Sequence, residues 1–231
     1  MRYLSQGAAL QLSSLGARLR RRIGLAPEAL DGVELPERPP DSRLALEAEE
    51  MCRELSSPAL TNHCLRVYVW GALLGSRDRL RYDEELLFVA ALLHDLGLTD
   101  SYASRPGAAC FAVQGAVAAR EWSLEHGCES ARARLIADAI TLHINPRVRP
   151  DEGVEAHLLT AGAAFDVIGA RYRELSKPLV SAAVDRHPRL GFKREMDERS
   201  RVAARRGPRT RVAFGYRLGF GRMIARAPFA D

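Results

Sequence analysis

The stretch Asp83-Glu84-Glu85-Leu86-Leu87-Phe88-Val89-Ala90-Ala91-Leu92-Leu93-His94-Asp95-Leu96-Gly97 reads as one helix with both ends marked. Asp83 is a good N-cap, because its side-chain oxygen can accept a backbone N–H of the first turn. Glu84 and Glu85 suit the positive end of the helix dipole. Gly97 supplies the stop. Leu86, Ala90, Leu93 and His94 recur at i, i+4, i+7 and i+8, the spacing of one helical face. An apolar stripe thus ends on an imidazole, with the Asp95 carboxylate next to it.

Working outward, the same signals recur. Ser42 caps a helix running to about Leu55, and a second spans about Pro58 to Leu74, closed by Gly75. After the Asp83–Asp95 helix, others are expected over Phe111–Glu125, Ser130–His143, Val154–Ile168 and Lys177–Arg186. Period-2 alternation is nearly absent, so no sheet is expected and the class is all-α. The composition agrees: 47% of the 231 residues are hydrophobic but only 6% aromatic, with Ala and Leu abundant. The chain divides into an irregular N-terminal extension and linker over 1–41, a helical core over 42–200 and a basic, irregular tail over 201–231. Met1 to Arg22 reads as a weak amphipathic helix ending in arginines, and Leu35-Pro36-Glu37-Arg38-Pro39-Pro40 as an extended linker, since proline cannot continue a helix.

Several function classes are disfavoured. No apolar run reaches the ~20 residues of a membrane span. Cys52, Cys64, Cys110 and Cys128 form no C-x-x-C pair, which argues against a zinc ribbon or a redox dithiol. Together with the lack of a secretory signal pattern, this predicts a reducing, cytoplasmic setting. The net charge of +5 is uneven: residues from Pro188 onward carry 12 Arg plus Lys against 4 Asp plus Glu. That excess is read as a solvated surface, since it forms no dense basic block, and nucleic acid is not the expected partner.

Periodicity also shows which polar residues face inward. His63 lines up with Val67, Trp70 and Leu74; His143 with Ile136 and Ile140; Asp166 with Leu159, Gly162 and Ala163. A buried carboxylate is costly unless it is paired or bound to a metal. Inward Asp95 and Asp166 beside inward imidazoles make a shared cation attractive, and imidazole with carboxylate suits zinc, manganese or iron. The alternative, a set of hydrogen-bonded core histidines, stays open on periodicity alone.

Ala90-Ala91-Leu92-Leu93-His94-Asp95-Leu96-Gly97-Leu98-Thr99 resembles the central motif of the HD superfamily of metal-dependent hydrolases. That family orders a His, a later His-Asp pair and a distant Asp. This chain has His63, then His94-Asp95 31 residues after His63, then Asp166 71 residues after Asp95. Within the superfamily it looks closest to the cyanamide hydratase-like branch. Three further stretches carry this: Asn62-His63-x-x-Arg66-x-Tyr68, Phe111-Ala112-Val113-Gln114-Gly115-Ala116 and Pro188-Arg189-Leu190-Gly191-Phe192-Lys193. The resemblance covers about residues 42–200. It implies a helical bundle whose His63, His94, Asp95 and Asp166 hold one divalent cation, zinc first, with manganese or iron as alternatives.

The implied reaction is addition of water to a small molecule such as a nitrile or cyanamide, with Asp95 shuttling the proton. His143 is a further candidate, to polarise substrate, donate a proton or add a ligand. Arg66 is expected to bind an anion or to pair a buried acid, Asp166 first. Asn62 and Thr99 are candidate substrate contacts, with helix capping and loop roles as their alternatives. Leu98 stands where HD phosphodiesterases commonly carry Lys, and Phe111 where two-metal members add a His. A phosphohydrolase acting on a nucleotide or other phosphate ester is therefore the second reading, and a non-catalytic binding module the third. The expected partner is a small-molecule substrate, and a homo-oligomer stays open.

Overall fold

A computed structural model of the chain describes residues 29–36, 40–103 and 110–231. Among these residues no strand occurs. A lone parallel bridge joins Leu30 to Leu175, made by the Leu30 N–H on the Glu174 carbonyl and the Ser176 N–H on the Leu30 carbonyl. The class is all-α, as expected. The Met1–Arg22 helix lies outside the described residues.

Side-chain caps start several of the helices. α1 (Arg43–Leu55) begins where Ser42 Oγ accepts the Ala45 N–H. α2 (Pro58–Asp78) is capped by Ser57 and opens on Pro58, whose missing N–H is no loss in a first turn. α3 (Glu84–Leu93) starts with Asp83 Oδ1 accepting the Leu86 N–H at 2.9 Å. A 3-10 turn over Leu96–Leu98 and the short α4 (Asp100–Ala103) follow. α5 (Phe111–Glu125), α6 (Ser130–Leu142), α7 (Val154–Ile168) and α8 (Lys177–Arg186) lie where the periodicity puts them, α6 stopping one residue early. α2 and α3 are buried on nearly every side and form the centre. α7 lies along α2, and α6 packs on α3, α5 and α7.

Glycines set how closely these helices approach. Gly75 does not end α2, which runs on to Asp78 and closes with Arg79 in the left-handed region at φ 55°. The position is small because Tyr82 and Leu158 pack on it: a Cβ there would lie 2.9 Å from Tyr82 Cε1 and 3.1 Å from Leu158 Cδ1. At Gly162 a Cβ would sit 2.3 Å from the Val67 carbonyl oxygen. α2 and α7 therefore cross almost backbone to backbone. His63 lies one turn before Val67 and Asp166 one turn after Gly162, so this crossing sets the distance between them.

The last thirty residues depart from the irregular tail expected. α9 (Phe192–Arg206), α10 (Arg211–Arg217) and α11 (Phe220–Ala225) carry the chain nearly to its end. Val212, Ala213, Ile224, Ala227 and Phe229 are buried. The glycines read as breakers punctuate short helices instead: Gly207 caps α9, and Gly219, at φ 93°, starts α11. The apolar residues are too widely spaced for a periodic signal, and the arginines between them keep to the surface. No described helix is long and apolar enough to cross a membrane.

Gly162→Ala is expected to destabilise the chain by about 1–3 kcal/mol, as overpacking does, because the obstructing atom is backbone and cannot rotate away. Urea unfolding checks this; Gly162 has ordinary helical backbone, so the loss reports the steric clash rather than backbone strain.

Candidate metal centre

The site is built around a carboxylate with no exposure to solvent. Asp166, from α7, accepts hydrogen bonds from Arg66 Nε on Oδ1 and Arg66 Nη2 on Oδ2, each at 2.8 Å. Trp70 Nε1 donates to Oδ1 at 2.8 Å, and Arg189 Nη1 adds a longer bond of 3.3 Å. His63 Nδ1 donates to Oδ2 at 2.8 Å. His63, Arg66 and Trp70 are spaced i, i+3 and i+7 on α2, so one face of that helix supplies three of the donors. Burial works against the Asp166 charge, but Arg66 first, and then His63, hold its pKa well below the usual carboxylate range.

The second feature is a convergence of imidazole nitrogens. His63 spends Nδ1–H on Asp166, His94 faces Nδ1 to the Ala91 carbonyl at 2.7 Å, and His143 faces Nδ1 to the Ile140 carbonyl at 2.5 Å. An acceptor at Nδ1 places the proton there and leaves a lone pair on Nε2. All three Nε2 atoms point at Asp95: His63 and His94 lie 3.5 and 3.4 Å from Oδ2, and His143 lies 3.8 Å from Oδ1. Burial pushes His94 down, and pushes His143 down to about 4. Burial pulls His63 down too, but its bond to Asp166 and the nearby Asp95 outweigh this, and its pKa rises. Asp95 also resists burial, because the imidazoles of His94, His63 and His143 hold it below the usual range.

Asp166 has two arginines to balance it, whereas among the described residues Asp95 pairs only with imidazoles. Asp95 Oδ2 and His63 Nε2 are buried without a hydrogen-bond partner. Ligand atoms of His63, His94 and Asp95 lie within 4.8 Å of one another. Two ligands each about 2.1 Å from a tetrahedral ion stand about 3.4 Å apart, which matches the 3.4 and 3.5 Å separations found. The donor set therefore fits a divalent cation of borderline softness. Cys64, next to His63 in sequence, is a free thiol hydrogen-bonded with the Cys52 thiol and lies outside the cluster.

An apolar shell closes the cluster. Phe192 stacks on His63 with ring centroids 4.3 Å apart, and Phe111 meets His143 edge-on at 5.7 Å. Leu60, Leu98, Val167, Met196 and Val212 belong to the same buried cluster as these rings. A cavity of about 180 Å³ borders the Leu96–Leu98 turn that follows Asp95, lined by Gly97, Leu98, Phe111, Gln114 and Arg199 among others, but by none of the clustered imidazoles.

The other expected residues lie elsewhere. Asp166 stands behind His63, outside the three-residue cluster, with both oxygens taken. Arg66 is fully spent on Asp166 and on the His187 carbonyl, the pairing alternative rather than the anion-binding one. Asn62 departs from the expected substrate contact: its side chain donates to the Pro188 carbonyl and ties α2 to the loop before α9. The Thr99 hydroxyl donates to the Leu96 carbonyl at 2.7 Å and closes the 3-10 turn. Trp70, Arg189 and Phe192 were missed. Trp70 was already on the His63 stripe, and Arg189 and Phe192 lay in a quoted stretch, but nothing in the sequence brings that stretch to α7.

Residues 60–205 match the HD domain family. The chain belongs to that family. Most of its members are metal-dependent hydrolases. This HD chain is also 29% identical over 157 residues to two cyanamide hydratases of Saccharomyces cerevisiae, DDI2 and DDI3, covering 66% of this chain and 68% of each of theirs. The family match runs from α2 to α9 and includes His63, His94, Asp95, His143 and Asp166.

Arg66→Ala leaves the Asp166 charge buried with its main partner gone and is expected to cost about 3–5 kcal/mol. A depressed carboxylate pKa contributes stability that is full above the unfolded value, about 4, and is lost as pH falls toward the folded value. The gap in urea midpoint between wild type and Arg66→Ala should therefore be widest near neutrality and narrow in acid.

Proposed function

We propose that this HD chain adds water to a small uncharged molecule, with cyanamide and simple nitriles as the first substrates to try. The observation that carries the reading is the unpartnered pair of Asp95 Oδ2 and His63 Nε2, spaced as ligands of one ion. His63, His94 and Asp95 would hold a divalent cation, zinc first with manganese or iron as alternatives, and three protein ligands leave positions open for substrate. Such a cation supplies Lewis acidity, which brings the ionisation of water near neutral pH. Asp166 acts behind His63, fixing its ring and proton.

The remaining groups handle the proton. Hydration of a C≡N bond adds hydroxyl to carbon and a proton to nitrogen. Asp95 Oδ1 and His143 Nε2 face each other at 3.8 Å, so a proton taken from water at Asp95 has a neutral imidazole beside it for transfer toward the substrate nitrogen. Phe111 and Phe192 keep bulk water away from these groups. The choice of an uncharged substrate over a phosphate ester rests on Arg66 and Arg189. Both are buried and committed to carboxylates, so neither is free to bind an anion. The similarity to two cyanamide hydratases supports the substrate chosen first.

Elemental analysis of purified wild type beside the His94→Ala, Asp95→Ala double mutant tests the centre: about one equivalent of metal, lost in the mutant, is expected. Urea formation from cyanamide, followed by colorimetry with nitriles and phosphate esters in parallel, tests the substrate. Turnover of phosphate esters alone would overturn the hydratase reading. His143→Ala is expected to keep its metal and lose about 10²–10⁴-fold in kcat, the usual range for a lost acid–base group.

A further inference from the structure

Arg189 lies 2% exposed between two carboxylates and two aromatic rings. Its Nη1 reaches Asp166 Oδ1 at 3.3 Å and its Nε reaches Asp231 Oδ1 at 3.2 Å. The guanidinium carbon sits 5.0 Å from the Phe192 ring centroid and 4.5 Å from that of Phe229. Two of these neighbours touch His63 directly: Asp166 through its hydrogen bond, and Phe192 by stacking. The other two, Phe229 and Asp231, lie outside the span that matches the HD family.

Residues 227–231 are held as a strap across the end of α7. Ala227 and Phe229 are buried. Pro228 packs so closely on Gly169, three residues after Asp166, that a Cβ there would lie 2.2 Å from Pro228 Cδ. Lys193 Nζ donates to the Phe229 carbonyl at 2.6 Å, and the Lys193 N–H donates to Asp231 Oδ2 at 3.1 Å. The Phe229 ring also packs on Phe165, Trp70 and Tyr172. An arginine is flexible enough to leave a carboxylate it meets at 3.3 Å unless something fixes it. Here the strap does so.

We infer that Arg189 is a positioning residue for the metal centre, and that the strap of residues 227–231 acts through it. Arg66 and Trp70 approach Asp166 from α2, the helix that also carries His63. Arg189 approaches from outside that helix and fixes the carboxylate against α7, so Asp166 presents Oδ2 to His63 Nδ1 at one angle. Loosening the strap lets the carboxylate and the Phe192 ring shift, and His63 Nε2 then turns from its place beside Asp95. The inference rests on the metal reading proposed above and extends it to a segment beyond the family match.

The test is zinc affinity of the full chain by competition with a chromogenic chelator, using Zn²⁺ alone, on R189M, D231N and the double variant R189M/D231N. Loss of a group that orients a metal ligand weakens metal binding about 10–100-fold. R189M, one step further out, is expected at the low end, about tenfold, and D231N at a few-fold. The double variant is expected to bind no more weakly than R189M, because Asp231 works through Arg189. Val180→Ala, in the core at α8, serves as a control that lowers the unfolding midpoint without moving zinc affinity. If R189M does not fold, F229A and D231N carry the test, each expected to weaken binding. Wild-type affinity in R189M, or in both F229A and D231N, overturns the inference, as does simple additivity in the double variant. A wild type that binds no zinc overturns the metal reading itself, which is a separate result.

Discussion

A carboxylate with no exposed surface survives in an apolar core only when donors replace the water it gave up. Asp166 meets this condition with four side chains, two of them arginines. The rest of the site depends on it. His63 has its proton held at Nδ1, which frees Nε2. Arg66 and Arg189 have their charges committed to carboxylates. The loop before α9 is drawn in, because Arg66 also donates to the His187 carbonyl and Arg189 follows two residues later.

Asp95 is the same residue type in the same core, with the opposite compensation. Its neighbours are imidazoles whose protons point away from it, so one oxygen stays without a donor. The protein spends two arginines on the carboxylate behind His63 and leaves the one beside its Nε2 with an unpartnered oxygen. The division also separates ligand from orienter. A carboxylate saturated by arginines is a poor metal ligand and a good anchor for one.

Apolar packing does the remaining work. α2 and α7 cross at van der Waals contact because Gly162 has no side chain there, and a wider crossing would draw Asp166 away from His63. Phe192 and Phe111 close the imidazoles off from water, which strengthens every electrostatic interaction inside. α9, α10 and α11 supply much of this cover through Phe192, Met196, Val212 and Ile224. Their polar composition hides that role. Fifteen residues of α9 carry three fully buried side chains among many charges.

Most of the helices were legible in the chain itself, since capping residues and 3.6-residue periodicity are local properties. Ser42, Ser57, Asp83 and Ser176 cap the helices they precede, and α5, α7 and α8 have the ends their sequences indicate. The inward-facing His63, His94, His143 and Asp166 were legible for the same reason, because a polar residue on an apolar stripe must face the core. Which carboxylate keeps an unpartnered oxygen was not, because it depends on contacts between residues 42 to 126 positions apart. Arg66 to Asp166, Asn62 to Pro188 and Arg189 to Asp231 are pairings of long sequence separation that no local pattern encodes. The sequence by itself determined the main helices as far as Arg186 and the polar residues that face inward from them. The tertiary structure decided which of those residues satisfy one another and which are left with a lone pair and no partner.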